Sequence, residues 1–148
     1  ITKMSESNLD KVFTIAGKPG LFRIVAQTRS GVIATSLTDH KKIATNLGQQ
    51  INVLSEIRVF GLKDEMPLND IFERMFQLEK GQPARVKPKA SKKELESYFF
   101  EVFHDYDEDR VHASDITKII KWYNLLLDLN ELKFDLPKEE KLSDTEEL

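Results

Sequence analysis

The chain has 148 residues, 40% of them hydrophobic and 32% charged, with a formal net charge of −3 at pH 7, so it can build one ordinary globular core or two small ones. It contains no cysteine, which excludes disulfides, thiolate zinc sites and cysteine nucleophiles. No apolar run approaches the roughly 18 residues of a membrane span and residues 1–11 lack the apolar centre of a signal peptide, so we expect a cytoplasmic protein without membrane contact.

The N-terminal part of the chain has the pattern of short strands. Residues 13–37 contain three β-rich runs, separated at residues 17–20 and 29–31 by glycine and proline, which favour tight turns. Along the second run, Phe22 and Ile24 share one pleat face with Ala26, and we predict this to be the core face. Arg23, on the opposite face, is then expected to point into water.

Three shorter runs follow, at residues 41–45, 51–54 and 57–60. Together with the long hairpin they indicate a meander of about five strands, and a sheet this small protects its edges best by closing on itself. The predicted fold class is therefore α+β, beginning with a small SH3-like antiparallel β-barrel near residues 10–62.

From Met66 the hydrophobic period changes from two to about 3.6, which predicts a helix over residues 67–79 with Pro67 in its first turn and Gly81 after its end. Residues 82–90 contain two prolines and cannot continue this helix. The predicted division is a β-barrel domain with one helix (1–80), a basic linker (81–90) and a helical domain with an acidic tail (91–148).

The helical domain is predicted to contain a helical hairpin over residues 91–129. Ser91 and Glu94 have the spacing of a capping box, and an apolar stripe follows them. Ser114 is the predicted N-cap of the second helix, with Asp115 in its first turn. In the acidic tail, Leu132, Phe134 and Leu136 alternate, so we expect an extended segment with one apolar edge against the body.

The stretch FHDYDEDRVHASDITKIIKWY (103–123) has the aspartate spacing of a calcium-binding EF-hand. With Asp105 at loop position 1, however, Arg110 stands where the loop requires glycine, and Ile116 stands where it requires a bidentate glutamate. Ile116 also belongs to an apolar stripe. His104 and His112 flank the aspartates, but their spacing matches no known ligand pattern. We therefore predict an acidic turn between two helices and no metal.

No catalytic pattern is present in the sequence. Residues 17–20 lack the spacing of a phosphate-binding loop, and His40 has no nucleophile motif to activate. The sequence therefore predicts a protein that is not an enzyme and needs no cofactor. Trp122 could form a binding platform, but on a helix with an apolar stripe it is expected to pack in the core or between domains.

Three segments resemble an uncharacterised two-domain family of Bacteroidetes proteins: KVFTIAGKPGLFRIVAQTRSGVIATSL (11–37), PLNDIFERM (67–75) and YDEDRVHASDITKIIKWYNLL (106–126). Residues 110–116 resemble that family's recurrent entry into its last helix. The resemblance implies a small β-domain followed by a short helical domain in a bacterial cytoplasm. It implies no activity.

Charge is distributed unevenly along the chain. Residues 1–90 hold 14 Lys and Arg against 9 Asp and Glu, whereas residues 91–148 hold 8 against 16. Such a split suits an acidic partner on one side, or attraction between the two halves. With two small domains and no catalytic pattern, the leading prediction is a protein-interaction or scaffolding module whose partner is a protein.

Binding of RNA or DNA through the basic N-terminal β-domain is the alternative. A pI near 5.7 and the lack of aromatic residues interleaved with the basic ones count against it. The candidate partner-binding residues are Lys18, Arg23, Arg29, Lys41, Lys42, Arg58, Arg85, Lys87 and Lys89.

Overall fold

The computed structural model of the chain describes residues 9–46, 50–132 and 134. Its larger sheet has five antiparallel strands in the spatial order β4-β3-β2-β1-β5. These strands are β1 (Val12–Ile15), β2 (Lys18–Thr28), β3 (Gly31–Ser36), β4 (Lys42–Ala44) and β5 (Ile51–Val53).

The two tight turns of this sheet lie at or beside their predicted positions, although residues 18–20, predicted as part of the first turn, belong to β2. Gly17 connects β1 to β2 with φ of 85°, a left-handed conformation that glycine adopts without steric cost. Arg29 and Ser30 form the two-residue connection between β2 and β3. The long antiparallel hairpin is therefore confirmed.

The sheet does not close into a barrel, so the predicted SH3-like barrel is replaced by an open sheet. After β4 the chain crosses to the far side of the sheet, where β5 pairs with β1 through Phe13 and Val53. Among the described residues the edge strands β4 and β5, of three residues each, do not pair with one another. The strand predicted at residues 57–60 leaves this sheet, because β6 (Arg58–Val59) pairs instead with β7 (Met66–Pro67).

Both faces of the sheet are buried near its centre. One face contributes Leu21 to the main core, which the sheet shares with the helices, while Phe13 and Phe22 stack at 5.9 Å in a second cluster on the other face. The expectation that Arg23 points into water is consequently wrong, because its guanidinium pairs with Glu131. Ala26, assigned to the core face, is exposed beyond an irregularity in the β2–β3 pairing.

Three helices follow, namely α1 (Leu68–Glu79), α2 (Lys92–Val102) and α3 (Ala113–Asp128). The helix predicted from residue 67 and the helical hairpin are confirmed, as is the capping box of Ser91 and Glu94. The predicted cap at Ser114 is wrong by two positions. The helix begins at Ala113, and the Asp115 carboxylate accepts a hydrogen bond from the backbone N–H of His112 at 3.0 Å.

The helices and one face of the sheet enclose the main core. Phe72 of α1 and Tyr123 of α3 lie 6.3 Å apart between ring centres within it. Leu132 and Phe134 are buried against the same core, with Phe134 edge-on to Phe76 at 5.6 Å. The predicted apolar edge of the tail is confirmed for these two residues, while Leu136 lies outside the described residues.

The connection between α1 and α2, residues 82–90, also packs on this core through Ala84, Val86 and Ala90. We call this connection the strap. The predicted division into residues 1–80, 81–90 and 91–148 stays a prediction. In the described ranges, no helix combines the length and the apolar character needed to cross a bilayer.

Candidate partner-binding grooves

The acidic turn between α2 and α3 uses the carboxylate of Asp107 for its own hydrogen bonds. One oxygen of Asp107 accepts the backbone N–H of Asp109 at 3.0 Å and the other accepts Nε of Arg110 at 3.1 Å. The hydrogen bond from Arg110 holds the pKa of Asp107 below its usual value. Ile116, at the glutamate position of an EF-hand, is fully buried. Within the described ranges, no three His, Cys, Asp or Glu side chains are grouped to hold a metal ion.

The same turn is joined by backbone hydrogen bonds to the segment after β6. The N–H of Asp107 donates to the carbonyl of Phe60 at 2.9 Å, and the N–H of Leu62 donates to the carbonyl of Asp105 at 2.7 Å. Between them, a Cβ on Gly61 would lie 2.2 Å from a backbone oxygen, so only glycine fits there. This pairing positions Phe60, whose ring is covered by the Arg110 guanidinium at 4.2 Å from the ring centre.

Phe60 lies at one end of a continuous depression, which we call the sheet–helix groove. It consists of a cavity of about 700 Å³ between the β1–β2 hairpin, β5 and α3, and a second of about 230 Å³ between β6 and α3. Ile57, Lys118 and Trp122 line both cavities and so join them. The groove therefore combines residues from distant parts of the chain.

The charges of the sheet–helix groove are mostly positive. Arg110 is paired with Asp107, and Asp115 is occupied by its bond to His112. Within the described part of the chain, the four other cations of the groove make no ion pair. They are Lys18, Arg58, Lys118 and Lys121.

The floor of the sheet–helix groove is apolar. Ile57, Val59 and Ile119 line the smaller cavity, and Trp122 lies beside them. Trp122 packs on the main core, as predicted, but it is only half-buried and the rest of its surface lines the groove. An apolar floor surrounded by cations can bind an acidic ligand that also carries an apolar group.

The nine candidate residues from the sequence do not form one surface. Lys18 and Arg58 line the sheet–helix groove, whereas Arg23 is paired with Glu131. Three more are exposed but line neither the sheet–helix groove nor a second groove beside α2, namely Arg29, Lys41 and Lys42. The last three, Arg85, Lys87 and Lys89, line this second groove.

Sequence reasoning missed Lys118 and Lys121 as members of a basic surface, because both lie in the acidic half of the chain. Their spacing contained the missing signal. Lys121 and Trp122 follow Lys118 by three and four positions, so the three residues share a helix face. That face lies beside the apolar stripe and was open to a binding role.

Comparison with known proteins gives two matches to protein families. Residues 9–54 match a family described as "Domain of unknown function (DUF5606)", and residues 57–126 match "Domain of unknown function (DUF6852)". The two matches meet next to Ile57, so the sheet–helix groove lies where the two regions join. No curated protein matches the chain.

A solved structure is also similar to the chain: the solution NMR structure of a Bacteroides vulgatus protein determined by a structural genomics consortium. It shares 34% sequence identity with a TM-score of 0.69, and the match covers 85% of this chain and 90% of the other. The chain belongs to the family of this protein. These matches agree with the resemblance to an uncharacterised two-domain family, and neither family description assigns an activity.

Proposed function

We propose that the protein is a non-enzymatic interaction module that binds an acidic segment of a partner protein in the sheet–helix groove, in a bacterial cytoplasm. The observation that carries this proposal is the group of four cations, unpaired within the described residues, around Trp122 and an apolar floor. The Bacteroides vulgatus relative supports the bacterial setting.

The groove offers a partner two kinds of contact. The smaller cavity, lined by Ile57 and Ile119, is large enough for an apolar side chain, and such buried anchors contribute most of the binding energy at protein interfaces. Lys18, Lys118 and Lys121 lie around the larger cavity. Their exposed charges would speed association with an acidic segment and make it depend on salt.

The groove residues also support the absence of catalysis. Its polar side chains are lysines, arginines, amides, Thr14, Trp122 and Asp115, and the described lining contains no histidine or serine that could form a nucleophile–base pair. Its carboxylate, Asp115, already accepts the backbone N–H of His112. A binding role therefore accounts for these residues better than a reaction does.

Binding of nucleic acid through the basic N-terminal β-domain is the second candidate, because Lys18 and Arg58 of that domain line the groove and Trp122 of α3 beside them resembles a base-stacking platform. Two features count against it. The Arg110 guanidinium already covers Phe60, and Arg23 is engaged with Glu131. A nucleic-acid strand would thus meet few open aromatic faces in the described groove.

The proposal is tested by fluorescence anisotropy with a labelled peptide of alternating glutamate and glycine around one central leucine. Replacing Lys118 and Lys121 with glutamate should weaken binding about tenfold or more, equivalent to roughly 1.4 kcal/mol. The matched control replaces Lys41 and Lys42 with glutamate, which makes the same charge change outside the groove.

Equal weakening by both double variants would show general charge attraction and refute the groove as the site. A peptide with glycine in place of the leucine should bind more weakly than the original. If a single-stranded oligonucleotide bound more tightly than the peptide, and lost binding in the Lys118 and Lys121 variant, the second candidate would replace the first.

A further inference from the structure

The strap is held in place by side chains of the helices that surround it. The hydroxyl of Tyr123 donates to the carbonyl of Gln82 at 2.9 Å, and Asn124 Oδ1 accepts the N–H of Ala84 at 2.9 Å. Further along, the hydroxyl of Thr117 donates to the carbonyl of Pro88 at 3.1 Å. Three side chains of α3 thus fix the backbone of a segment without regular secondary structure.

Glu79, at the end of α1, adds a fourth attachment. Its side chain is only 7% exposed, and its carboxylate accepts the hydroxyl of Tyr98 at 2.7 Å and the backbone N–H of Arg85 at 3.1 Å. Burial raises the pKa of Tyr98, which keeps this hydroxyl protonated as a donor. The same carboxylate holds the Arg85 guanidinium at 3.3 Å.

The strap and α2 form the second groove, of about 610 Å³, which we call the strap groove. Lys87, Lys89 and Lys93 line it, and none of them pairs with an acidic residue in the described ranges. The two carboxylates that line the groove are already engaged, since Glu94 Oε1 accepts the backbone N–H of Ser91 at 3.2 Å and Glu101 lies 3.6 Å from Arg85. The strap groove therefore has three free ammonium groups on a fixed backbone.

We infer that the strap groove binds the phosphodiester backbone of a nucleic acid without reading its sequence. The three lysine ammonium groups act as point charges that can contact phosphates in any sequence, and Arg85, whose planar fork could read a base edge, is already paired. Tyr98, the aromatic residue of the groove, is 2% exposed and offers no stacking face.

The fixed backbone favours such binding because the lysines are already positioned and less conformational freedom is lost when the ligand arrives. The strap groove shares no lining residue with the sheet–helix groove. The inference therefore stands independently of the proposed protein partner, and the chain could hold an acidic protein and a nucleic acid at once.

The test is fluorescence anisotropy of a labelled oligothymidine across a range of salt concentrations. Each phosphate contact on a single strand contributes about 0.7 to the slope of log K against log salt, so replacing Lys87, Lys89 and Lys93 with glutamine should reduce the slope by about 2. Affinity at low salt should fall in parallel, and a mixed-sequence oligonucleotide should behave like oligothymidine.

The control is a triple variant with glutamine at Lys41, Lys42 and Lys63, which removes the same charge outside both grooves. It should not change the slope as the strap variant does, and unchanged melting temperatures would show that both variants are folded. The inference is overturned if the strap variant keeps the wild-type slope. It is also overturned if an oligoglutamate peptide, and not the oligonucleotide, binds in a way that depends on these lysines.

Discussion

The two grooves differ in how the chain builds them. The strap groove comes from residues 85–101, which are close in sequence, whereas the sheet–helix groove joins Lys18 of β2 and Arg58 of β6 to Lys121 of α3. In the first groove helix side chains fix a short segment, and in the second the packing of α3 on the sheet brings the cations together. A short stretch of sequence therefore supplies the lysines of one basic surface, although side chains of α3 hold their backbone, while the cations of the other surface come together only when α3 packs on the sheet.

Among substitutions that should affect the two grooves differently, Gly61→Ala is expected to have the largest effect on stability. A Cβ there would lie 2.2 Å from the carbonyl oxygen of Asp64 and 2.6 Å from the Phe103 ring, and the backbone oxygen cannot move away cheaply. Gly61→Ala should therefore lower the free energy of unfolding by about 3 kcal/mol, at the upper end of typical overpacking costs. Urea denaturation measures this loss.

In the folded Gly61→Ala protein, peptide binding at the sheet–helix groove should weaken more than oligonucleotide binding at the strap groove, because Phe60 is displaced. Leu62→Ala is the matched control, since Leu62 is 69% exposed and its truncation should change stability by less than about 0.5 kcal/mol. Equal destabilisation by both substitutions would contradict the close packing at Gly61.

The second effect concerns the strap. Asn124→Ala leaves the part-buried N–H of Ala84 without its acceptor, which should cost about 1.5 kcal/mol by urea denaturation. The freed strap should also bind oligonucleotides more weakly while peptide binding stays unchanged. Asp128→Ala, at the exposed end of the same helix, is the control. Unchanged oligonucleotide binding in Asn124→Ala would show that the strap needs no fixed backbone.

The third effect is a pH dependence on the strap side. Burial raises the pKa of both Tyr98 and Tyr123 above the usual value of 10.0. Above that value the unfolded chain loses these protons while the folded chain keeps them, so stability is full below pH 10 and falls as pH rises. For each tyrosine the loss is about 1.4 kcal/mol at one pH unit above its unfolded pKa.

Urea denaturation of wild type and Tyr98→Phe across this range measures the contribution of Tyr98. The variant should lose less stability on alkalinisation, although it is less stable near neutral pH because the bond to Glu79 is gone. In Tyr106→Phe the removed hydroxyl also has a pKa raised by burial but makes no hydrogen bond to Glu79, so stability near neutral pH should change less than in Tyr98→Phe. Parallel curves for wild type and Tyr98→Phe would contradict the raised pKa.

The sequence was sufficient for the helices. The apolar spacing after Met66 predicts α1, the Ser91 and Glu94 pair predicts the start of α2, and the apolar stripe predicts the burial of Ile116. These features depend on residues within one or two turns of each other, so local spacing contains them. The tight turns at Gly17 and Arg29 follow for the same reason.

Local patterns were misleading where contacts between residues far apart in the sequence decide the structure. Alternation places Arg23 away from the core face, yet α3 and the residues after it cover that face and supply Glu131 as a partner. The barrel was expected because small sheets close, but helices cover one face and β5 pairs with β1. No single strand contains the information about which strand will be its neighbour.

The sequence by itself determined the helices, the turns, the absence of cysteine and the basic residues of the strap, because each is set by residue type and short spacing. The fixed backbone of the strap depends on side chains of α3, which are distant in sequence. Only the tertiary structure decided that Lys118 and Lys121, from the acidic half, meet Lys18 and Arg58 around Trp122. The physical reason is that net charge per segment averages over all faces of a helix, whereas a partner meets only the face that packing leaves open.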